Sequence, residues 1–127
     1  MGSGYLLDSN VIIDLVGKKL PASTLELISQ SVLFTSDISL IEVLGYPNSS
    51  EEEQQFNSLF ADTLQISLNE EIVRKSILIR KSKKIKLGDA IIASTSLVHN
   101  VVLLTRNISD FNGIYGLEVF DSHLSTN

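Results

Sequence analysis

Four carboxylates in this chain stand where chemistry could be placed, three beside a change of element and one on the inward stripe of a helix. Asp8 follows the apolar run Tyr5-Leu6-Leu7, Glu42 sits within Ser39-Leu40-Ile41-Glu42-Val43, Asp89 opens a helix of small residues, and Asp110 lies in the polar turn after Val101-Val102-Leu103-Leu104. Gathered at one sheet edge, such acids repel each other unless a cation lies among them. Hard divalent ions take oxygen ligands, and Mg²⁺ or Mn²⁺ keeps several waters beside a few carboxylates, so the set has the composition of a metal site. Each acid alone has a plainer role. Asp8 or Ser9 can cap a helix, Asp89 suits the positive end of a helix dipole, and Glu42 could belong to a buried ion pair or an edge.

The elements that must carry these acids follow from spacing. Asp8-Ser9-Asn10 separates a short strand from Val11, Ile12 and Leu15 at helical intervals. In parallel sheets ligands gather beyond the carboxyl ends of strands, which is where this arrangement puts Asp8. Pro21-Ala22-Ser23 opens a second helix to Gln30, Val32–Thr35 reads as a strand, and Ser36-Asp37 caps a helix on which Ile38, Ile41 and Gly45 mark an inward stripe. Glu42 falls within that stripe. Asn48-Ser49-Ser50 with Glu51-Glu52-Glu53 begins a helix whose apolar face is Phe56, Leu59 and Phe60, and Leu64–Ile66 is a third strand. Asn69 caps a long helix to about Lys83, Ala90, Ala93 and Leu97 mark the next one, and Val101–Leu104 and Leu117–Phe120 are the last strands. Strands alternating with helices predict an α/β, three-layer α/β/α domain with a mainly parallel central sheet. Asp14 is expected on a solvated helix face, His99 near a helix end and His123 in solvent.

With 127 residues, 43% of them hydrophobic, the chain has material for one domain with a real core. Cysteine is absent, which removes disulfides, thiolate metal sites and cysteine nucleophiles. No stretch has the length of a membrane-spanning helix and no secretory leader is evident, so a soluble cytoplasmic protein is expected. Met1-Gly2-Ser3-Gly4 reads as partly an expression-tag remnant, outside the expected fold. The net charge of −5 hides an asymmetry, because seven of the ten Lys and Arg residues lie between Arg74 and Lys86. That strip is either a solvated helix face or an edge that meets phosphates. Neither a P-loop nor a dinucleotide-binding glycine motif is present.

In order and spacing, Leu7-Asp8-Ser9-Asn10-Val11-Ile12-Ile13-Asp14-Leu15, Ser39–Val43, Gly88-Asp89-Ala90-Ile91-Ile92-Ala93, Leu104-Thr105-Arg106-Asn107 and Asp110-Phe111 resemble the PIN-domain ribonucleases. Within that family the resemblance is to the VapC-like toxins of bacterial and archaeal toxin–antitoxin pairs, and it covers essentially the whole chain. It implies a single PIN domain over 1–127 and hydrolysis of RNA phosphodiesters assisted by Mg²⁺ or Mn²⁺. Asp8, Glu42 and Asp89 would form the acidic core that holds the metal, with Asp110 as the fourth acid. Ser9, Asn10, Thr105 and Asn107 would support them, and Arg106, Lys84 and Lys86 would contact RNA phosphates without reading sequence. A homodimer and a cognate antitoxin protein are implied as well.

Two positions depart from the pattern. Many relatives carry an acid where this chain has Asn107, and a threonine where it has Ser9. Two other classes stay open at this point: a non-catalytic PIN-like module that binds RNA or protein, and a phospho-aspartate phosphotransferase, weakened because position 10 is Asn rather than a second Asp.

Overall fold

Leu6 and Leu7 are both fully buried. Neighbouring residues of a strand point to opposite faces, so a strand that buries both must lie between two layers. In the computed structural model, which describes residues 4–124, that strand is β1 (Gly4–Leu7) at the middle of a five-stranded sheet. Its companions are β2 (Val32–Ser36), β3 (Leu64–Ile66), β4 (Val102–Thr105) and β5 (Val119–Asp121), in the order β3-β2-β1-β4-β5. Every pairing is parallel, so the sheet is not merely mainly but wholly so among the described residues.

Two helical layers complete the expected three. Leu7 and Leu104 face α1 (Ser9–Val16), α2 (Ala22–Ser29), α3 (Asp37–Leu44) and α4 (Ser50–Ala61) through Val11, Ile12, Ile28, Val43, Phe56 and Phe60. Leu6 and Leu103 face α5 (Glu70–Ser82) and α6 (Leu87–His99) through Ile79, Ala90, Ile92 and Ala93. The caps are those that the sequence signals: Ser36 accepts from Ser39 N–H, Ser49 and Glu52 form a capping box, and Asn69 accepts from Ile72 N–H. Among the described residues no helix is long and apolar enough to cross a membrane.

Several expectations need correction. The inward residues of α3 are Ser39 and Val43, whereas Ile41 is 66% exposed and Glu42 is exposed at the rim. The apolar stripe misleads because Ser39 is a small polar group that finds a partner inside, the Ser9 hydroxyl, and so can be buried in place of an isoleucine. Asp14 is buried, not solvated, since the Arg106 guanidinium pairs with it and His123 Nε2 lies 3.1 Å away; His123 in turn is held there rather than in open solvent. Gly4 belongs to β1, where it pairs with Val32; a Cβ on it would stand 2.5 Å from the Val32 carbonyl oxygen, so the close approach suits glycine. Met1–Ser3, read as tag-like, lie outside the described residues. Phe56 and Phe60 on α4 and Ile28 on α2 close over the protein's own core.

Candidate active site

The chain runs outward from β1 to β2 and β3 on one side, then returns to β4 and β5 on the other. The two directions part between β1 and β4, and in an open parallel sheet the crevice beyond that point is where ligands bind. Asp8 is the first residue past β1 at this place. Its N–H donates to the Leu104 carbonyl (3.0 Å), which fixes the backbone, and its side chain caps α1 by accepting from Ser9 N–H (2.8 Å). The other carboxylate oxygen accepts from the Thr105 hydroxyl at 2.8 Å and faces Asn10 Nδ2 at 3.4 Å. Capping and chemistry are thus compatible roles for one side chain. Burial holds the Asp8 carboxyl above the ordinary aspartate value despite the hydrogen bonds from Thr105 and Ser9, and the Glu42 charge adds to the rise.

Glu42 reaches this edge from the rim of α3. Its Oε1 lies 2.5 Å from the Ser9 hydroxyl, which also stands 3.0 Å from Ser39 Oγ. Gly88 makes room for it: a Cβ there would lie 2.9 Å from Glu42 Oε2. Asp89, in the first turn of α6, is the half-buried member of the set. Burial first, then the charges of Asp8 and Asp110, raise its pKa to about 6; Lys86 opposes this and Glu42 contributes to it. Asp110 is exposed in the 3-10 turn Ile108–Phe111 that follows β4.

The four acids therefore share one edge and feel each other. They do not form a closed cage: among the described residues no three His, Asp or Glu side chains are gathered closely enough to hold an ion as they stand. Asp8 and Glu42 are turned toward Thr105 and Ser9. An all-oxygen set in which Asp8 and Asp89 are raised by burial and by neighbouring acids still fits a hard divalent ion that keeps most of its waters and touches one or two carboxylates directly.

Beside Asp89 and Asp110 opens a cleft of about 440 Å³ whose other lining is Arg80, Lys83, Lys84, Ile85, Lys86 and Ser109. Lys84 and Lys86 thus stand where a polyanion could meet them. Arg106 is not among the lining residues; one Nη is committed to Asp14 at 2.8 Å. Asn107 is exposed, its N–H donating to Thr105 Oγ1 at 3.1 Å. Three contributors escaped the sequence reading. Ser39 lies within Ser39–Val43, where a serine among apolar residues signals nothing of the hydrogen bond it accepts from the Ser9 hydroxyl. Asp14 lies three residues after the buried Val11, a spacing that shares its face. Lys83 donates to the Asp110 and Asn112 carbonyls (3.3 and 2.7 Å), a tether that no sequence pattern announces.

The PIN domain family model matches residues 5–116 of the chain. Among solved structures, a toxin–antitoxin complex from Klebsiella pneumoniae contains a chain that is 29% identical, with a TM-score of 0.79 over 96% of this chain and 100% of that one. VapBC-1 from nontypeable Haemophilus influenzae matches at 28% identity and a TM-score of 0.77, covering 92% and 96% of the two chains. VapBC2 from Rickettsia felis, bound to a DNA fragment from its promoter, shares the fold at 23% identity and a TM-score of 0.75, over 92% and 97%. No curated protein matches the sequence.

Proposed function

The chain belongs to the PIN-domain family, and from that premise we propose that it is a metal-dependent endoribonuclease, the toxin of a VapBC-type toxin–antitoxin pair. The observation that carries the proposal is the electrostatic coupling of Asp89 to Asp8, Asp110 and Glu42 at the lip of a cleft walled by Arg80, Lys83, Lys84 and Lys86. Acids that destabilise each other at the crevice of the sheet, facing a basic wall, suit a site that gathers a cation and a phosphodiester together.

In this reading Asp8 and Asp89 hold Mg²⁺ or Mn²⁺, with Glu42 completing the core and Asp110 as fourth acid. The bound ion supplies a water of lowered pKa and positive charge opposite the phosphoryl oxygens. The protein's own groups do the rest. Thr105 and Asn10 orient Asp8, Ser9 orients Glu42, and Lys84 and Lys86 hold flanking phosphates. An RNA substrate, a cognate antitoxin, a cytoplasmic location and a single PIN domain over the chain belong to the same proposal, and the toxin–antitoxin complexes similar to this chain support the antitoxin. The expected homodimer draws support from exposed apolar residues such as Ile41 and Leu87.

The test is incubation of the purified protein with total RNA, with Mg²⁺ or Mn²⁺ and with excess chelator. Cleavage that disappears in chelator is expected. RNA bound but left intact with both ions would replace the enzyme by a non-catalytic binding module.

A further inference from the structure

Asp14 is the deeply buried acid that the carboxylate edge does not use, its side chain only 5% exposed. A charge at that depth is costly unless it is paired. It is paired twice, and its partners come from two other segments. Asp14 Oδ2 accepts from Arg106 Nη1 at 2.8 Å and lies 3.1 Å from His123 Nε2. His123 is itself held, with Nδ1 2.8 Å from Ser122 Oγ and its N–H donating to Asp121 Oδ1. Ser122 N–H donates to the Thr105 carbonyl, and Thr24 Oγ1 donates to the Ser122 carbonyl. One carboxylate on α1 therefore ties down the residue after β4 and the segment after β5.

What this does at the site follows from where Arg106 sits. Thr105 is the last residue of β4, paired with Asp121, so the sheet ceases to fix the chain just where Arg106 begins. This stretch makes two contacts with the site: the Thr105 side-chain hydroxyl donates to Asp8 Oδ2, and the Arg106 backbone N–H donates to Asn10 Oδ1 at 3.2 Å. Asn10 is also the residue whose amide faces Asp8, and Asp14 lies one helical turn beyond it. The Arg106 side chain thus grips α1 next to the point that its own backbone contacts.

We infer that Asp14 is a positioning residue: by clasping Arg106 and His123 it fixes the 105–107 backbone, so that Thr105 and Asn10 hold the Asp8 carboxylate in a single orientation. The value of that orientation for RNA cleavage rests on the proposed role of Asp8, but the clasp itself can be measured without any reaction.

The experiment compares Asp14→Asn and Arg106→Gln with the unmodified protein and with Glu70→Gln, which breaks an exposed ion pair to Arg74 far from the clasp. In metal-free protein, amide hydrogen exchange at Arg106 and Asn107 is expected to rise about tenfold or more in both variants, while β1 and β4 keep their protection. In the RNA assay kcat is expected to fall about tenfold with KM unchanged, as for a slightly misplaced group. Glu70→Gln should match the unmodified protein in every readout. If Asp14→Asn speeds exchange throughout the molecule, the half-exposed Arg106→Gln decides the matter, and unchanged exchange at the two amides overturns the inference. A raised KM with normal kcat in Arg106→Gln also overturns it, since Arg106 would then be a substrate contact. Should the unmodified protein cut no RNA while the two amides still respond, the ribonuclease reading falls and the clasp stands.

Discussion

Replacing Asp89 by Asn should make the metal-free protein more stable while it destroys activity. The Asp89 carboxyl is raised from 3.8 to about 6, by burial and then by Asp8 and Asp110. Between those values the folded protein binds the proton more tightly than the unfolded chain does, so stability falls as pH rises through the window, and the full penalty applies above it. For a shielded group the interval is worth about 3 kcal/mol; Asp89 is only half-buried, and solvent screening reduces this to about 1 kcal/mol. For a chain of this size that is about 3 °C in Tm. The assay is thermal unfolding in chelator of the unmodified protein and Asp89→Asn, at a pH well above 6 and again below 3.8. The variant should melt higher at the first pH and equally at the second. Added Mn²⁺ should then raise the Tm of the unmodified protein alone, because only its folded state binds the ion. Equal melting at high pH, or an advantage that persists undiminished in acid, would refute the electrostatic account of the site.

Asp8→Asn should lower RNA cleavage by about 100-fold or more in time courses on total RNA, since it removes a carboxylate proposed to hold the metal. Asp110→Asn should cost less, about tenfold, because Asp110 is exposed and this end of the cleft already carries Asn107 in place of an acid. The pair Lys84→Ser, Lys86→Ser should weaken RNA binding uniformly across sequences and flatten the salt dependence by about 1.4 in the log–log slope, measured by titration at several salt concentrations. Light scattering of the purified protein at high concentration should report a dimer, and a monomer there would remove that part of the proposal.

The fold was legible because this sheet is simple where it matters. Leu6-Leu7 and Leu103-Leu104 are apolar on consecutive positions, the mark of strands covered on both sides, and the helices between strands carry ordinary caps at Ser36, Ser49 and Asn69. The four acids were legible as candidates by different signs, Asp8 and Asp110 by the strands they follow, Asp89 by the helix it opens and Glu42 by the apolar residues around it on α3. Orientation within helices was not. On α3 the apolar residues Ile38 and Ile41 outvote Ser39 in any periodicity count, yet Ser39 is wholly buried because the Ser9 hydroxyl satisfies it. Asp14 was misread for a related reason: its partners Arg106 and His123 lie 92 and 109 positions away, and nothing local signals that a charge will be neutralised by distant residues. Long-range polar partnerships decide which side chains a helix buries, and a window of neighbouring residues does not contain them.

The 97 positions between Asp8 and Thr105 also order events in time. β1 lies at the centre of the sheet, yet it is made well before its β4 neighbour. Distant pairings of this kind form late, because the intervening loop must first be closed against its entropy. On a ribosome, a nascent chain that has not reached Thr105 has neither the hydroxyl that steadies Asp8 nor the carboxylate of Asp110. For a protein proposed to cut RNA, this withholds the blade until its own message has been read past Asp110.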